Sequence, residues 1–307
     1  MSSTQGGAEP IAVVGSVAFD TLETPHGRAD DELGGAATHF AVAASFFAPV
    51  ALVAPIGEDF PQAALAYLAE RGIDCTGLER RAGKTFRWHG RYHEDMNKRD
   101  TLHLDLGVFA TFAPTVHETI RRAPYLFLGN IDPVLQRSVL EQFASPRLVG
   151  LDTMNHWIAE ARAPLEALLS RVDILVINDE EARELSGEEN IVRAARRILG
   201  YGARSIIVKR GEYGAILFSP ESVFAVPAFP LERVFDPTGA GDTFAGGMMG
   251  HLAATGDVSH ANLRRAIVYG TVLASFVVED FGGRRMRTLD RDAIEQRYRQ
   301  FVALTTF

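Results

Sequence analysis

The residues with the most chemical content lie between positions 235 and 244, in the run Phe235-Asp236-Pro237-Thr238-Gly239-Ala240-Gly241-Asp242-Thr243-Phe244. Gly239 and Gly241 flank a side chain of one methyl group, so a turn here leaves its backbone N–H groups unobstructed. The following residues, Thr243 to Met249, read as a helix packed closely on its neighbours. A glycine turn that opens a helix is an anion site, because free N–H groups and the helix dipole both favour negative charge. Asp242 is out of place in such a site, where its carboxylate would compete with a bound anion. The conflict resolves if Asp242 removes a proton from an attacking hydroxyl while the N–H groups stabilise charge building on a transferring phosphoryl group. A plainer reading stands beside it: a tight strand-to-helix turn in which Asp242 is a cap. No Gly-Lys-Ser/Thr follows, so this is not a Walker A loop. The first strand runs into Gly15-Ser16-Val17-Ala18-Phe19-Asp20, which is not Gly-x-Gly-x-x-Gly, so nicotinamide binding is not supported.

Such a turn needs a scaffold. Short apolar runs at Ile11–Gly15, Ala51–Pro55, Tyr125–Gly129, Leu148–Asp152, Asp173–Asn178 and Ser205–Lys209 alternate with helix-period segments. The helix candidates are Ala36–Phe47, Pro61–Arg71, Pro133–Phe143, Pro164–Ser170 and Ile191–Tyr201. Ile174-Leu175-Val176-Ile177 is apolar at every position, as parallel strands covered on both faces are. The alternation predicts an α/β fold, a doubly wound and mostly parallel sheet with helices on both faces, whose ligands bind at the carboxyl ends of the strands. Two stretches break the rhythm, at about 20–33 and 84–108. The second alternates bulky and polar residues and reads as antiparallel strand. Both are expected to form a small β lid inserted in one domain spanning 1–307. The segment from Phe244 to Phe307 reads as mostly helical.

Bulk properties exclude several classes. The net charge is -8, and no basic run supplies the patch that nucleic-acid binding needs. Arg284-Arg285-Met286-Arg287 is the nearest candidate and reads as a solvated loop after a helix. The single cysteine, Cys75, cannot form a disulfide framework, which favours a reducing, cytoplasmic location. Met1 to Pro10 is polar and shows no signal peptide. The longest apolar stretch, Ala266–Val278, is too short for a membrane span and reads as a buried helix. His89 and His93 lie four apart beside Glu94 and Asp95, a spacing that suits zinc on a helix but not on the strand expected here.

Taken together, the segment 236–244 and its companions resemble the ribokinase-like (PfkB) family of carbohydrate and nucleoside kinases, over roughly Ile11 to Gly283. The resemblance implies an enzyme that transfers the γ-phosphate of ATP to a hydroxymethyl group, with Asp242 as base and the N–H groups of Gly239, Ala240 and Gly241 as anion hole. It also implies that Asp236 and Thr238 help hold a monovalent cation such as K+. Asn178-Asp179-Glu180-Glu181 resembles the family's Asn-x-x-Glu motif, in which Asn178 and Glu181 organise Mg2+ and phosphate through water. An amide and a carboxylate suit Mg2+, although the same residues at a strand end serve for capping. Lys209-Arg210-Gly211-Glu212-Tyr213-Gly214 resembles the nucleotide-side turn, in which Lys209, Gly211 and Gly214 approach ATP; it also reads as a hairpin turn into Ala215–Phe218. Leu33-Gly34-Gly35 resembles the pair that borders the acceptor pocket. There Gly34, Gly35 and Asp20 would hold the acceptor's hydroxyl groups. Asp152 and Asn155, in Leu151-Asp152-Thr153-Met154-Asn155-His156-Trp157, would face the phosphate and metal region. Asn130 and Asp132 are further pocket-edge candidates.

Two departures concern the acceptor. Ala18 and His39 stand where ribokinase-type sequences carry Asn to read the sugar. The resemblance therefore implies phosphoryl transfer without implying D-ribose as the acceptor. The lid carries Phe86, Arg87, Trp88, Arg91 and Tyr92, which either stack on a base or sugar or pack against the core or a second subunit. The leading expectation is a sugar or sugar-like acceptor, and the nearest alternative is a nucleoside of the adenosine type. A non-catalytic ligand-binding protein on the same fold is the rival from another class. A homodimer through the lid strands is also expected, with no nucleic-acid or membrane partner.

Overall fold

A computed structural model describes residues 7–306. The reading of Met1–Pro10 rests mainly on residues 1–6, which lie outside them. The strands are β1 (Ile11–Val14), β2 (Ala18–Thr24), β3 (Gly27–Gly34), β4 (Val50–Gly57), β5 (Ile73–Asp74), β6 (Leu78–Arg81), β7 (Phe86–Tyr92), β8 (Arg99–Asp105), β9 (Tyr125–Leu128), β10 (Leu148–Asp152), β11 (Ile174–Asn178), β12 (Ser205–Lys209), β13 (Ala215–Phe218) and β14 (Val223–Val226). The helices are α1 (Ala36–Ala44), α2 (Gln62–Glu70), α3 (Pro133–Leu140), α4 (Asn155–Glu160), α5 (Arg162–Leu169), α6 (Asp179–Ser186), α7 (Ile191–Leu199), α8 (Ala240–Thr255), α9 (His260–Val277), α10 (Arg284–Arg287) and α11 (Arg291–Thr305).

The main sheet runs in the order β14-β13-β12-β11-β10-β9-β1-β4-β5, with β6 also on β4. From β12 to β5 neighbouring strands are parallel, and β13 and β14 close one edge as an antiparallel meander. The all-apolar strands explain themselves. Ile174 and Val176 of β11 enter the hydrophobic cluster on one face of the sheet, Leu175 and Ile177 the cluster on the other. Each fully buried aliphatic side chain stabilises the fold by about 1.5–3 kcal/mol. Helices α1, α8 and α9 cover the first face and α3, α5, α6 and α7 the second. A Cβ on Gly246 would lie 2.3 Å from the Phe40 carbonyl oxygen, so α8 packs on α1 with backbone nearly in contact.

The two stretches that break the rhythm form a four-stranded sheet of order β3-β2-β7-β8, in which β2 and β7 are parallel. Its aromatic residues are used within the chain. Phe86 stacks on Phe109, and the Trp88 ring covers Gly90 and donates to Thr101. Arg87 pairs with Asp31 and Asp59, and Arg91 with Glu23.

One expectation is corrected. Arg284–Arg287 is not a solvated loop but the turn α10. Met286 is buried in the core, and Arg284 and Arg285 pair with Glu32 and Glu279. Two of its three arginines are thus neutralised within the chain, and Arg287 lies over the Tyr67 ring, so the run does not form a patch. Cys75 is half-buried against the core cluster. His89 and His93 pair with Glu23 and Asp100, and no cluster of three metal-ligating side chains occurs among the described residues. No helix among them is long and apolar enough to cross a membrane.

Candidate active site

Strand ends and two helix starts converge on the segment Asp236–Asp242. Gly239, at φ 73°, is the N-cap of α8, and Asp242 lies in the first turn. Thr238 N–H donates to Asp236 Oδ1 at 2.9 Å, and Gly282 N–H donates to Asp236 Oδ2 at 2.8 Å. Asp236 is thereby a fully buried staple between the turn and the loop after α9. Burial raises its pKa, opposed by these bonds from Thr238 and Gly282. The Thr238 hydroxyl donates to the lid residue Tyr92 at 3.0 Å. Ala240 N–H donates to Pro237 O at 3.1 Å, whereas Gly239 and Gly241 N–H make no hydrogen bond among the described residues. Two of the three expected anion-hole groups are therefore unspent. Asp242 turns its carboxylate toward its own N–H, and burial together with nearby Asp152 raises its pKa to about 7.

Lys209, at the end of β12, reaches this turn. A Cβ on Gly241 would lie 2.6 Å from Lys209 Nζ, so the bare glycine backbone lets the ammonium group approach closely. Nζ is 3.8 Å from Asp152 Oδ1. Burial works against the Lys209 charge, but Asp152, Glu181 and Asp242 outweigh it and hold its pKa above the ordinary value. Asp152, at the end of β10, also accepts from Thr153 N–H at 2.9 Å. Burial raises its pKa, against the opposing pull of Lys209.

Asn178 and Glu181 form a capping box: Glu181 N–H donates to Asn178 Oδ1 and Asn178 N–H to Glu181 Oε2, each at 2.8 Å. This uses Asn178 Oδ1 and one oxygen of Glu181. Burial pushes the Glu181 pKa up to about 7, with Asp152 adding to the rise. Three carboxyl groups thus surround one ammonium, and their oxygens are of the kind a hard cation takes. Mg2+ binds through few protein oxygens, waters and phosphates, and the second oxygen of Glu181 is not used by the capping box.

On the acceptor side, Asp20 lies within β2, not in a turn after β1. A Cβ on Gly34 would be 1.9 Å from Asp20 Oδ2, so glycine at 34 makes the space for that carboxylate. Gly35, at φ 90°, is the N-cap of α1, and its backbone N–H pulls the Asp20 pKa down. Burial, then Asp236 and Asp242, raise the Asp20 pKa to about 8. His39 is buried and packs its ring on Gly239, where a Cβ would lie 2.4 Å from its Cδ2.

Other candidates are committed elsewhere. Asn130 accepts from Trp157 Nε1 at 3.0 Å, and Asp132 caps α3 through Val134 N–H at 2.7 Å. Asn155 opens α4, is exposed, and donates to Glu184 and not toward Asp152. Gly211 (φ 53°) and Gly214 (φ 88°) shape the hairpin between β12 and β13, and a Cβ on Gly211 would meet Asn97 Oδ1 of the lid tip at 2.5 Å. Asn97 also donates to Glu212 at 2.9 Å, so the lid tip rests on this hairpin. Arg99 of β8 escaped the sequence reading. Its charge lowers the pKa of both Asp242 and Glu181, and no local sequence signal marks it.

The chain is similar to proteins of known activity. Residues 11–289 match the pfkB family carbohydrate kinase pattern. A cytidine kinase of Thermococcus kodakarensis is 34% identical over 245 residues, 78% of this chain and 87% of that protein. A nucleoside kinase of Methanothermobacter thermautotrophicus is 27% identical over 289 residues, 89% of this chain and 90% of the other. A ribokinase structure from Thermotoga maritima superposes with a TM-score of 0.76 at 23% identity, over 95% of this chain and 99% of that one. The fold is ribokinase-like, and the chain belongs to the pfkB family of carbohydrate kinases, phosphotransferases that act on the hydroxyl group of a sugar or nucleoside.

Proposed function

We propose that this protein is an ATP-dependent nucleoside kinase that phosphorylates the ribose hydroxymethyl group. The observation that carries the phosphoryl-transfer half is the juxtaposition of Asp242, the unspent N–H groups of Gly239 and Gly241, and Lys209 Nζ at one turn. Asp242, with its pKa near 7, takes the proton of the acceptor hydroxyl. The two N–H groups and Lys209 stabilise negative charge on the transferring phosphoryl group. Mg2+, when held near Glu181 and Asn178, supplies charge neutralisation for the phosphates. Asp20, seated against Gly34, accepts hydroxyl hydrogens of the acceptor. The lid, pinned by Tyr92 to Thr238, excludes water from the site.

Two facts support a nucleoside acceptor. Two of the relatives matched over most of the chain are a cytidine kinase and a nucleoside kinase. Ala18 and His39 also replace the two Asn residues implied to read free ribose. A free-sugar acceptor remains the second reading, favoured by a 30% identical ribokinase segment of Staphylococcus aureus that spans 41% of this chain. The test is ADP release from ATP and Mg2+ with cytidine, uridine, adenosine, inosine, ribose and fructose offered singly. Turnover with a nucleoside at least about tenfold above any free sugar supports the reading, a difference of about 1.4 kcal/mol in transition-state binding. Preference for a free sugar overturns it, and no turnover with any acceptor favours a binding protein. We also propose that the chain pairs through its lid. The strand β8 is an edge strand with Leu102 and Leu104 exposed, and a monomeric mass in light scattering would refute this.

A further inference from the structure

Behind the catalytic turn lies a cavity of about 10 Å³, whose lining includes Leu33, Thr38, His39, Val42, Thr243 and Met286. Three of these residues carry a buried polar atom without a hydrogen-bond partner: Thr38 Oγ1, His39 Nε2 and Thr243 Oγ1. Their exposures are 2%, 5% and 1%, so bulk water does not satisfy them. Unpaired buried hydroxyl and imidazole groups are costly, and three around one small space call for a shared partner. A single water needs roughly 10–15 Å³ and two to four polar neighbours. The cavity offers about that space and three such neighbours.

We propose that this cavity binds one ordered water molecule that joins Thr38, His39 and Thr243, and that His39 acts through it as a positioning residue for the catalytic turn. The chemistry of the lining selects water over an ion. No carboxylate lines the cavity, and Arg287 stands at its rim, so a cation is disfavoured. The space is too small for a phosphate. Burial lowers the His39 pKa to about 4, so the ring is neutral at pH 7 and presents Nε2 as donor or acceptor according to its tautomer. Water meets either case, because it can both donate and accept.

The position of the cavity gives the water a task. Thr38 and His39 belong to α1, which begins at the acceptor-side glycine pair. Thr243 directly follows Asp242 in the first turn of α8, and the His39 ring lies against Gly239. A water bridging these groups ties the acceptor-side helix to the residue behind the base and fixes the ring that backs the turn. Misplacement of a catalytic group by about 1 Å can cost on the order of 100-fold in rate. The inference rests on the reading of Asp242 and its turn as the phosphoryl-transfer centre. It also accounts for His39 as a group that serves the turn.

The test combines diffraction with kinetics. A crystal structure of the unmodified protein should show one density peak within about 3.2 Å of all three atoms. Thr38→Val and Thr243→Val keep side-chain volume and remove one partner each. Both should lose or displace the peak and lower kcat about tenfold with the KM for ATP unchanged, while Ser at either position restores both. An empty cavity in the unmodified protein overturns the proposal, as does full kcat in Val variants that have lost the peak. An anomalous signal at the peak after rubidium soaking overturns it in favour of a cation. Density at the site together with full activity of Asp242→Asn would leave the water standing and overturn the centre it is said to serve.

Discussion

Replacing Lys209 by Met preserves the length of the side chain that lies along Gly241 and removes its ammonium group. In the native protein Nζ stands 3.8 Å from Asp152 Oδ1, with Glu181 and Asp242 also drawing on its charge. At that separation and an effective dielectric constant of about 20, one charge pair is worth about 4 kcal/mol. Part of that is recovered in the variant, because the carboxyl groups it leaves uncompensated take up protons. What is not recovered is the fixed positive charge beside Gly241, where the transferring phosphoryl group is placed. Loss of one preorganised donor of this kind costs about 100- to 1000-fold in kcat. A second signature follows from sign. Lys209 lowers the pKa of Asp242, so its removal raises that pKa above the native value of about 7. The acid limb of the pH profile of kcat/KM then moves to higher pH. The assay is ADP release across pH 5.5–9 with the acceptor found in the substrate screen, and melting temperature checks that the variant is folded. A folded variant with kcat within about threefold of native, and an unmoved acid limb, would refute the role given to Lys209.

Three further outcomes follow from the geometry. Gly34→Ala places a Cβ 1.9 Å from Asp20 Oδ2, so the acceptor KM should rise by about tenfold or more while the KM for ATP stays constant, and an unchanged acceptor KM counts against Asp20 as the hydroxyl-binding group. Asp20→Asn should raise the melting temperature by a few degrees at pH 8 and by nothing near pH 3.5. The folded pKa of about 8 lies above the unfolded 3.8, so the native protein loses stability as pH climbs through that window and the variant does not. Equal melting shifts at both pH values would contradict the buried, protonated carboxyl. Tyr92→Phe removes the acceptor of the Thr238 hydroxyl, so it should lower kcat severalfold and raise protease sensitivity of the β7–β8 hairpin, and an unaltered cleavage rate would show that this bond does not hold the lid.

The sheet was readable because parallel strands covered on both faces must be apolar throughout, as Ile174–Ile177 is. The lid strands were readable because Thr85–His93 changes period from helix to alternation. The helix α4 was missed: Asn155–Glu160 is six residues long, fewer than two turns, too short for an apolar face to repeat. The segment Asp236–Asp242 announced itself by glycine spacing alone, but which N–H groups remain unspent depends on Pro237, whose carbonyl binds Ala240. Lys209 was assigned to the nucleotide turn by its neighbours in sequence, whereas its ammonium extends sideways to Gly241. Arg99 was invisible, since only closure of β8 over the site brings its charge near Asp242. The cavity beside His39 was equally hidden, because unpaired polar atoms are a property of packing and not of sequence.

The account stands on Asp242 as the base. Asp242→Asn keeps the shape of the turn and removes the group that accepts the proton. With ATP, Mg2+ and the acceptor from the screen, kcat should fall by about 100- to 10,000-fold. Affinity for an ATP analogue, measured by calorimetry on the same protein, should stay within about threefold, less than 1 kcal/mol. Near-native turnover in the folded variant would contradict the assignment of the catalytic centre.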